Sequence, residues 1–194
     1  MNLTRRDFLV GSAGLGPRLP PHFCCQNFTP IGDRDVHGVA AILHAEQYSQ
    51  ELDRNLVAGL RLFPIDVRGK TVVLKPNLVD YASGNAINTH PLLVLAAAES
   101  FRCMGAKSVI VAEGPGHQRD TQLVLSQSGY QQSLREEKIR FVDLNRDELI
   151  RTPLGASYMG IKRLWLPRTV LETDFLVSMP RSKPITGPES PSAS

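Results

Sequence analysis

Three segments decide the fold of this chain: Thr71-Val-Val-Leu-Lys75, an apolar stretch from Pro91 to Met104, and Ser108-Val-Ile-Val-Ala112. The two outer runs are short, continuous and rich in β-branched residues, which is typical of parallel strands covered on both faces. Between them, Pro91 suits the first position of a helix, and Gly105 suits the residue that ends one. The stretch therefore predicts a β-loop-α-β unit.

Polar residues follow both predicted strands. Because such a crossover is right-handed, both strands point the same way and their following loops emerge at one carboxyl edge, where open α/β sheets bind ligands. We therefore expect Lys75, Asn77, Glu113 and His117 to lie together. The N-terminus of the intervening helix, with His90, is expected nearby, and its free N–H groups would favour an anion.

Glu113 and His117 flank Gly114-Pro-Gly116. A carboxylate and an imidazole can bind a divalent metal or share a proton, so both residues are candidate catalytic groups and candidate metal ligands. The alternative is a tight turn with a solvent-exposed histidine. The Gly-Pro-Gly segment lacks the Lys-Ser/Thr pair of a P-loop and the third glycine of a dinucleotide-binding motif.

Lys75, Asn77, Thr89 and His90 are the candidate ligand-binding residues. A lysine at the end of a buried strand needs solvent or an anionic partner, which would be Glu113 or a ligand carboxylate or phosphate. Structural roles are the alternatives. They are a Lys75–Glu113 ion pair, an Asx-turn at Asn77 and a helix cap at His90, with the same ambiguity at Thr89.

These residues also carry a family resemblance. Lys75-Pro-Asn-Leu-Val79, Asn88-Thr-His-Pro91, Glu113-Gly-Pro-Gly-His117 and Phe175-Leu-Val-Ser-Met-Pro180 resemble, in the right order, the motifs of the bacterial "domain of unknown function 362" family. The resemblance covers about Val39 to Lys183 and implies no assigned activity. Some relatives carry iron–sulfur modules, whereas this chain has no cysteine cluster that could hold one.

Composition bounds the remaining possibilities. A chain of 194 residues with 42% apolar residues is long enough for one domain with a real core, and no apolar run is long enough to span a membrane. The net charge of +3 is spread among acidic residues without a basic stripe, so no nucleic-acid binding is expected. Three cysteines form neither a disulfide framework nor a metal-spaced set, and any cofactor beyond a divalent metal stays open.

The N-terminus resembles an export signal. Thr4-Arg-Arg-Asp-Phe-Leu9 matches the twin-arginine pattern, which would make residues 1–16 a signal segment and the twin-arginine machinery a partner. The apolar stretch that should follow is Gly-rich and interrupted from Pro17 to Pro21. Residues 17–38 are then expected to form a disordered linker. The expected location is periplasmic or extracytoplasmic if the signal works, and cytoplasmic otherwise.

Residues 39–183 are expected to form one α/β domain. Its fold class is a mostly parallel sheet with helices on both faces, a Rossmann-like three-layer arrangement that is incomplete at the C-terminus. Outside the central unit, we predict a first strand at Val39–Leu43 and a helix from a Ser49 cap to Pro64. A helix capped by Asp120 should end at Gly129 and be followed by a helical piece at Gln131–Lys138. Further strands are expected at Ile139–Asp143, Lys162–Leu166 (edge or antiparallel) and Thr173–Met179, whereas Asp147–Gly155 is expected to be less regular.

Residues 184–194 abruptly lose apolar periodicity, which is typical of a disordered tail. In the resembled family, the motif at Met179-Pro180 continues through lysine and histidine into a Gly-containing apolar segment. With a suitable choice of permitted codons, Ile185 to Ala193 can be read one base earlier as His-His-Trp-Ala-Gly-Val-Thr-Leu-Ser, a continuation of that kind. We therefore expect a one-base frameshift just after Pro184, which would leave the domain truncated, aggregation-prone and inactive.

The DNA beyond codon 184 tests the frameshift. We expect the other reading frame to continue as a long coding stretch with apolar patterning. A stop codon within a few codons of that frame would show that the tail is native.

The function expected from these patterns is that of an exported α/β domain that binds an anionic or metal-bound small ligand at the carboxyl edge of its sheet. Metal- or redox-linked enzymology is open, and whether the chain is an enzyme is not decided by any motif. The alternatives are a truncated, inactive family relative and an interaction module that uses an exposed sheet edge.

Overall fold

The computed structural model describes residues 40–45, 48, 52–81, 87–158 and 160–181 of the chain. The helices are α1 (Leu52–Leu60), α2 (Pro91–Cys103), α3 (Thr121–Gln127), α4 (Tyr130–Glu136) and α5 (Arg168–Glu172). The strands are β1 (Thr71–Pro76), β2 (Ser108–Glu113), β3 (Arg140–Asp143), β4 (Leu149–Tyr158), β5 (Ile161–Pro167) and β6 (Phe175–Met179). The predicted β-loop-α-β unit is confirmed as β1, α2 and β2.

The main sheet has four parallel strands in the order β3-β2-β1-β6. The chain moves in one direction from β1 through β2 to β3, and then returns to the other side of β1 with β6. The strand order therefore reverses between β1 and β6. In open α/β sheets, this reversal opens a crevice outside the carboxyl ends of the two strands.

Helices cover the sheet because its strands alternate apolar side chains between two buried faces. On one face, Val72, Leu74 and Val111 join a core with Val94 and Phe101 of α2. The right-handed crossovers from β1 to β2 and from β2 to β3 put α2, α3 and α4 on that face. Val73 and Ala112 alternate towards the other face and are also buried. The predicted α/β class with a parallel sheet flanked by helices is confirmed.

Helix ends follow their capping residues. Asp120 accepts hydrogen bonds from Gln122 N at 2.8 Å and Leu123 N at 3.1 Å, as an N-cap should. Gly105 follows α2 with φ +91°, a conformation that favours glycine. Both predictions are confirmed.

Two segments differ from expectation. The predicted strand at Val39–Leu43 is wrong for its described residues 40–43, which form no strand; the Leu43 side chain packs against Gly59 of α1 instead. A short apolar run can bury itself against a helix as well as in a sheet. The stretch expected to be less regular contains β4, which pairs antiparallel with β5 in a separate two-stranded sheet. The antiparallel strand expected at Lys162–Leu166 is confirmed.

Several predictions lie outside the described residues: the export segment, the linker, the Ser49 cap and the tail from residue 184. Within the part of the chain that the structure describes, no helix has the length and apolar content needed to cross a membrane.

Candidate functional site

The loops after β1 and β2 contact each other at the carboxyl edge of the main sheet. Gly116 N donates to Val79 O at 3.3 Å. Arg119 and Asp80 form an ion pair at 2.8 Å. These contacts join two loops that the right-handed crossover predicts to be neighbours.

The loops after β3 and β6 join the same cluster. Asn145 Nδ2 donates to Pro115 O at 2.9 Å, and Arg181 Nη1 donates to Asn88 O at 2.8 Å. A Cβ at Gly114 would lie 2.5 Å from Asn145 Oδ1, so the glycine allows the β3 loop to approach this closely. The loops that follow all four strands therefore converge at one edge.

Lys75 and Glu113 form an ion pair at the centre of this edge. Lys75 Nζ lies 2.7 Å from Glu113 Oε2, and the side chains are 41% and 8% exposed. Glu113 Oε1 accepts a further hydrogen bond from Gly114 N at 2.9 Å. Both carboxylate oxygens therefore have protein donors, while the lysine remains accessible to solvent.

Thr89 ties three segments together. Its buried Oγ1 accepts from Asn77 N at 2.9 Å and donates to Met179 O at 2.8 Å. Asn77 also holds the loop with its side chain, because its Nδ2 donates to Ile87 O at 3.2 Å. The Thr89 hydroxyl is thus occupied within the protein, and it joins the loop after β1 to the end of β6.

His90 caps helix α2 through its side chain. Its Nδ1 accepts a hydrogen bond from Leu92 N at 3.2 Å, and its ring stacks on Tyr48 with centroids 4.1 Å apart. Its carbonyl accepts from Leu93 N and Val94 N. The expectation of free N–H groups at this helix start is therefore wrong, because His90 itself satisfies them.

His117 stands apart from the buried part of the site. It is exposed in the turn beyond β2, and the described donors to the two Glu113 oxygens are Lys75 Nζ and Gly114 N, not the His117 ring. Among the described residues, no group of three or more His, Cys, Asp or Glu side chains could hold a metal ion. The structure thus brings Lys75, Glu113, Asn77 and Thr89 to one edge, and leaves the imidazole of His117 at its surface.

Tyr130 is a member of this region that was not anticipated from the sequence. It is fully buried at the start of α4, and its hydroxyl donates to Thr89 O at 2.8 Å. Burial raises the pKa of the Tyr130 hydroxyl, and the charge of Glu113 raises it further. The sequence signal for Tyr130 is its helical spacing to Leu134, which is also buried.

Alkaline titration tests the burial of Tyr130. A raised pKa stabilises the fold below the tyrosine pKa of the unfolded chain, about 10, and that contribution is lost as the pH rises further, since only the unfolded chain releases the proton. We expect tyrosinate absorbance to show one tyrosine that ionises only together with unfolding, and Tyr130→Phe to lack it. Ionisation of every tyrosine while circular dichroism stays native would contradict this.

Comparison with known proteins places the chain in a family. The family model described as "Domain of unknown function (DUF362)" matches residues 72–184, more than half of the chain and all four motif segments. No curated protein and no solved structure matches this chain. The chain therefore belongs to the DUF362 family.

Proposed function

We propose that the crevice outside the carboxyl ends of β1 and β6 binds a small anionic ligand. The strand order reverses between these two strands, which is where open α/β sheets bind ligands. The observation that carries the proposal is the position of Lys75. Its ammonium is held by a buried carboxylate, while 41% of its side chain is exposed at this edge.

The Lys75–Glu113 pair is suited to hold an anion. An ammonium has three donors, and Glu113 Oε2 takes one of them. The others can donate to a ligand carboxylate or phosphate in a charge-assisted hydrogen bond. Glu113 already holds the Lys75 side chain in place. Binding a ligand therefore costs less side-chain entropy of the lysine.

Two residues of the β6 segment support the same role. Ser178 is exposed and stands beside Lys75 in the register of β1 with β6. Arg181 follows the strand, and one of its five guanidinium donors goes to Asn88 O. Lys75, Ser178 and Arg181 together supply two positive charges and a hydroxyl to the crevice.

Acid–base or metal chemistry by Glu113 and His117 is the second version of this proposal. Both residues belong to the segment that ends β2, and the His117 imidazole is accessible. This version has less support because both oxygens of Glu113 already accept hydrogen bonds. A metal would have to displace the Lys75 ammonium or the Gly114 N–H.

A thermal-shift screen tests the two versions against each other. With inorganic phosphate or small carboxylates, we expect stabilisation that grows with concentration, about 2.7 kcal/mol at 100 times Kd, and that is lost in Lys75→Met but kept in Lys107→Met. Lys107 is an exposed lysine before β2 and serves as the matched control. A shift with divalent ions that disappears in Glu113→Ala with His117→Ala would favour the metal version. No shift with any of these ligands would contradict both.

We also propose that the chain is exported only weakly. The pair Arg5-Arg6 supports recognition by the twin-arginine machinery, whereas the interruption at Pro17–Pro21 opposes it. A reporter fused to residues 1–38 should show weak or no export that depends on this machinery. Efficient export that Arg5→Lys with Arg6→Lys abolishes would show that the interruption has no effect.

A further inference from the structure

The β4–β5 hairpin carries one face that is exposed and apolar. In its register, Arg151 pairs with Trp165, and Pro153 pairs with Arg163 two positions away on each strand. Because side chains alternate along a strand, these residues share one face with the flanking Leu149 and Ile161. We call this the hairpin face; its members are Leu149, Arg151, Pro153, Ile161, Arg163 and Trp165.

The large apolar residues of the hairpin face are exposed. Trp165 is 62% exposed, Leu149 52% and Ile161 47%. On the opposite side, Ile150 and Leu166 are half-buried and Leu164 is 38% exposed. The largest exposure therefore lies on the hairpin face, and it leaves a tryptophan in water where a partner surface would normally cover it.

The charge of the hairpin face has one sign. Arg151 and Arg163 are exposed on it, and none of its residues is acidic. The described carboxylates at the hairpin base are engaged elsewhere: Glu148 and Glu172 pair with Arg168 at 2.6 Å, and Asp147 accepts from Thr169 N at 2.8 Å. Among the residues that the structure describes, the face therefore combines an apolar surface with positive charge that no carboxylate neutralises.

We propose that the hairpin face binds an anionic lipid surface. Tryptophan prefers the boundary between headgroups and acyl chains, and arginine stems lie along apolar surface while their charged ends reach lipid phosphates. A second copy of the chain is disfavoured as the occupant, because arginines would face arginines. The row of side chains on a two-stranded ribbon also suits a broad surface, whereas a partner protein would anchor a tryptophan in a pocket.

Vesicle binding tests this directly, because Trp165 is the single tryptophan of the chain and reports only on this face. With the full chain, we expect co-sedimentation with phosphatidylglycerol–phosphatidylcholine vesicles and a blue shift of tryptophan fluorescence. Pure phosphatidylcholine vesicles should give neither. Equal binding to both vesicle types, or binding to neither, overturns the proposal. A blue shift that grows with protein concentration without vesicles would indicate a second copy and also overturns it.

Charge reversal locates the binding surface. Arg151→Glu with Arg163→Glu should weaken vesicle binding on the order of 30-fold or more, since each basic residue near an anionic surface contributes roughly a fivefold factor in affinity. Arg54→Glu with Lys107→Glu changes the net charge equally at exposed positions outside the hairpin and should bind almost as the natural chain does. An equal loss in both variants would show attraction without a dedicated face and would refute the assignment. Circular dichroism checks that both variants are folded.

Discussion

Replacing Thr89 by valine should lower the free energy of unfolding by about 3 kcal/mol. Valine keeps the shape of threonine but removes the hydroxyl, which leaves Asn77 N without its acceptor and Met179 O without its donor. Each buried polar group that loses its partner costs about 1–3 kcal/mol. Because these bonds join the β1 loop to the end of β6, the loss falls on the contacts between these two segments at the carboxyl edge.

Thr89→Ser is the matched control for this prediction. Serine keeps the hydroxyl and removes one methyl group, so we expect a loss of about 1 kcal/mol from packing alone. Denaturant unfolding measures the free energy of unfolding of both variants. In thermal unfolding, the Tm of the valine variant should be about 6–12 °C lower. Equal losses for valine and serine would show that the hydroxyl contributes nothing.

Replacing Lys75 by methionine should cost about 2 kcal/mol. The change leaves the carboxylate of Glu113, whose side chain is 8% exposed, without its counter-charge. Breaking a fully buried pair in this way costs about 3–5 kcal/mol. The expected loss is smaller here because water reaches the lysine position, which is 41% exposed.

Glu113→Gln should cost less, about 1 kcal/mol. Its amide oxygen can still accept from Gly114 N, and the freed Lys75 ammonium can turn to solvent. Urea unfolding of both single variants and the double variant gives the coupling energy of the pair. If Glu113→Gln destabilises more than Lys75→Met, then the lysine, and not the carboxylate, depends on its partner, and the assignment of Lys75 as the solvent-facing anchor fails.

The central unit was predictable because its signals are local. Continuous β-branched runs, Pro91 and Gly105 define β1, α2 and β2, and handedness alone places their loops at one edge. The hairpin was only half predictable. Alternation in Lys162–Leu166 indicates a strand, whereas Pro153 and Gly155 in β4 obscure its partner.

The roles of the site residues depend on partners that are distant in sequence. Thr89 bonds to Met179 across 90 residues, and Tyr130 reaches the Thr89 carbonyl across 41. No local pattern distinguishes such a structural hydroxyl from one that binds a ligand. His90 was predictable as a cap, since a polar residue before proline at a helix start favours that role.

The position of β6 beside β1 has a consequence for the order of folding. Thr71 N bonds to Asp174 Oδ2 across 103 residues, so this pairing forms only after β1, β2 and β3 have left the ribosome. Until then, one edge of β1 presents unpaired backbone groups on an apolar strand, which is a template for intermolecular strand pairing. Closure of so long a loop also makes β6 docking a slow step. The pairing of β6 with β1 therefore forms after the rest of the main sheet during synthesis. Refolding yield should fall as the chain concentration rises, because chains can associate through β1 before β6 docks.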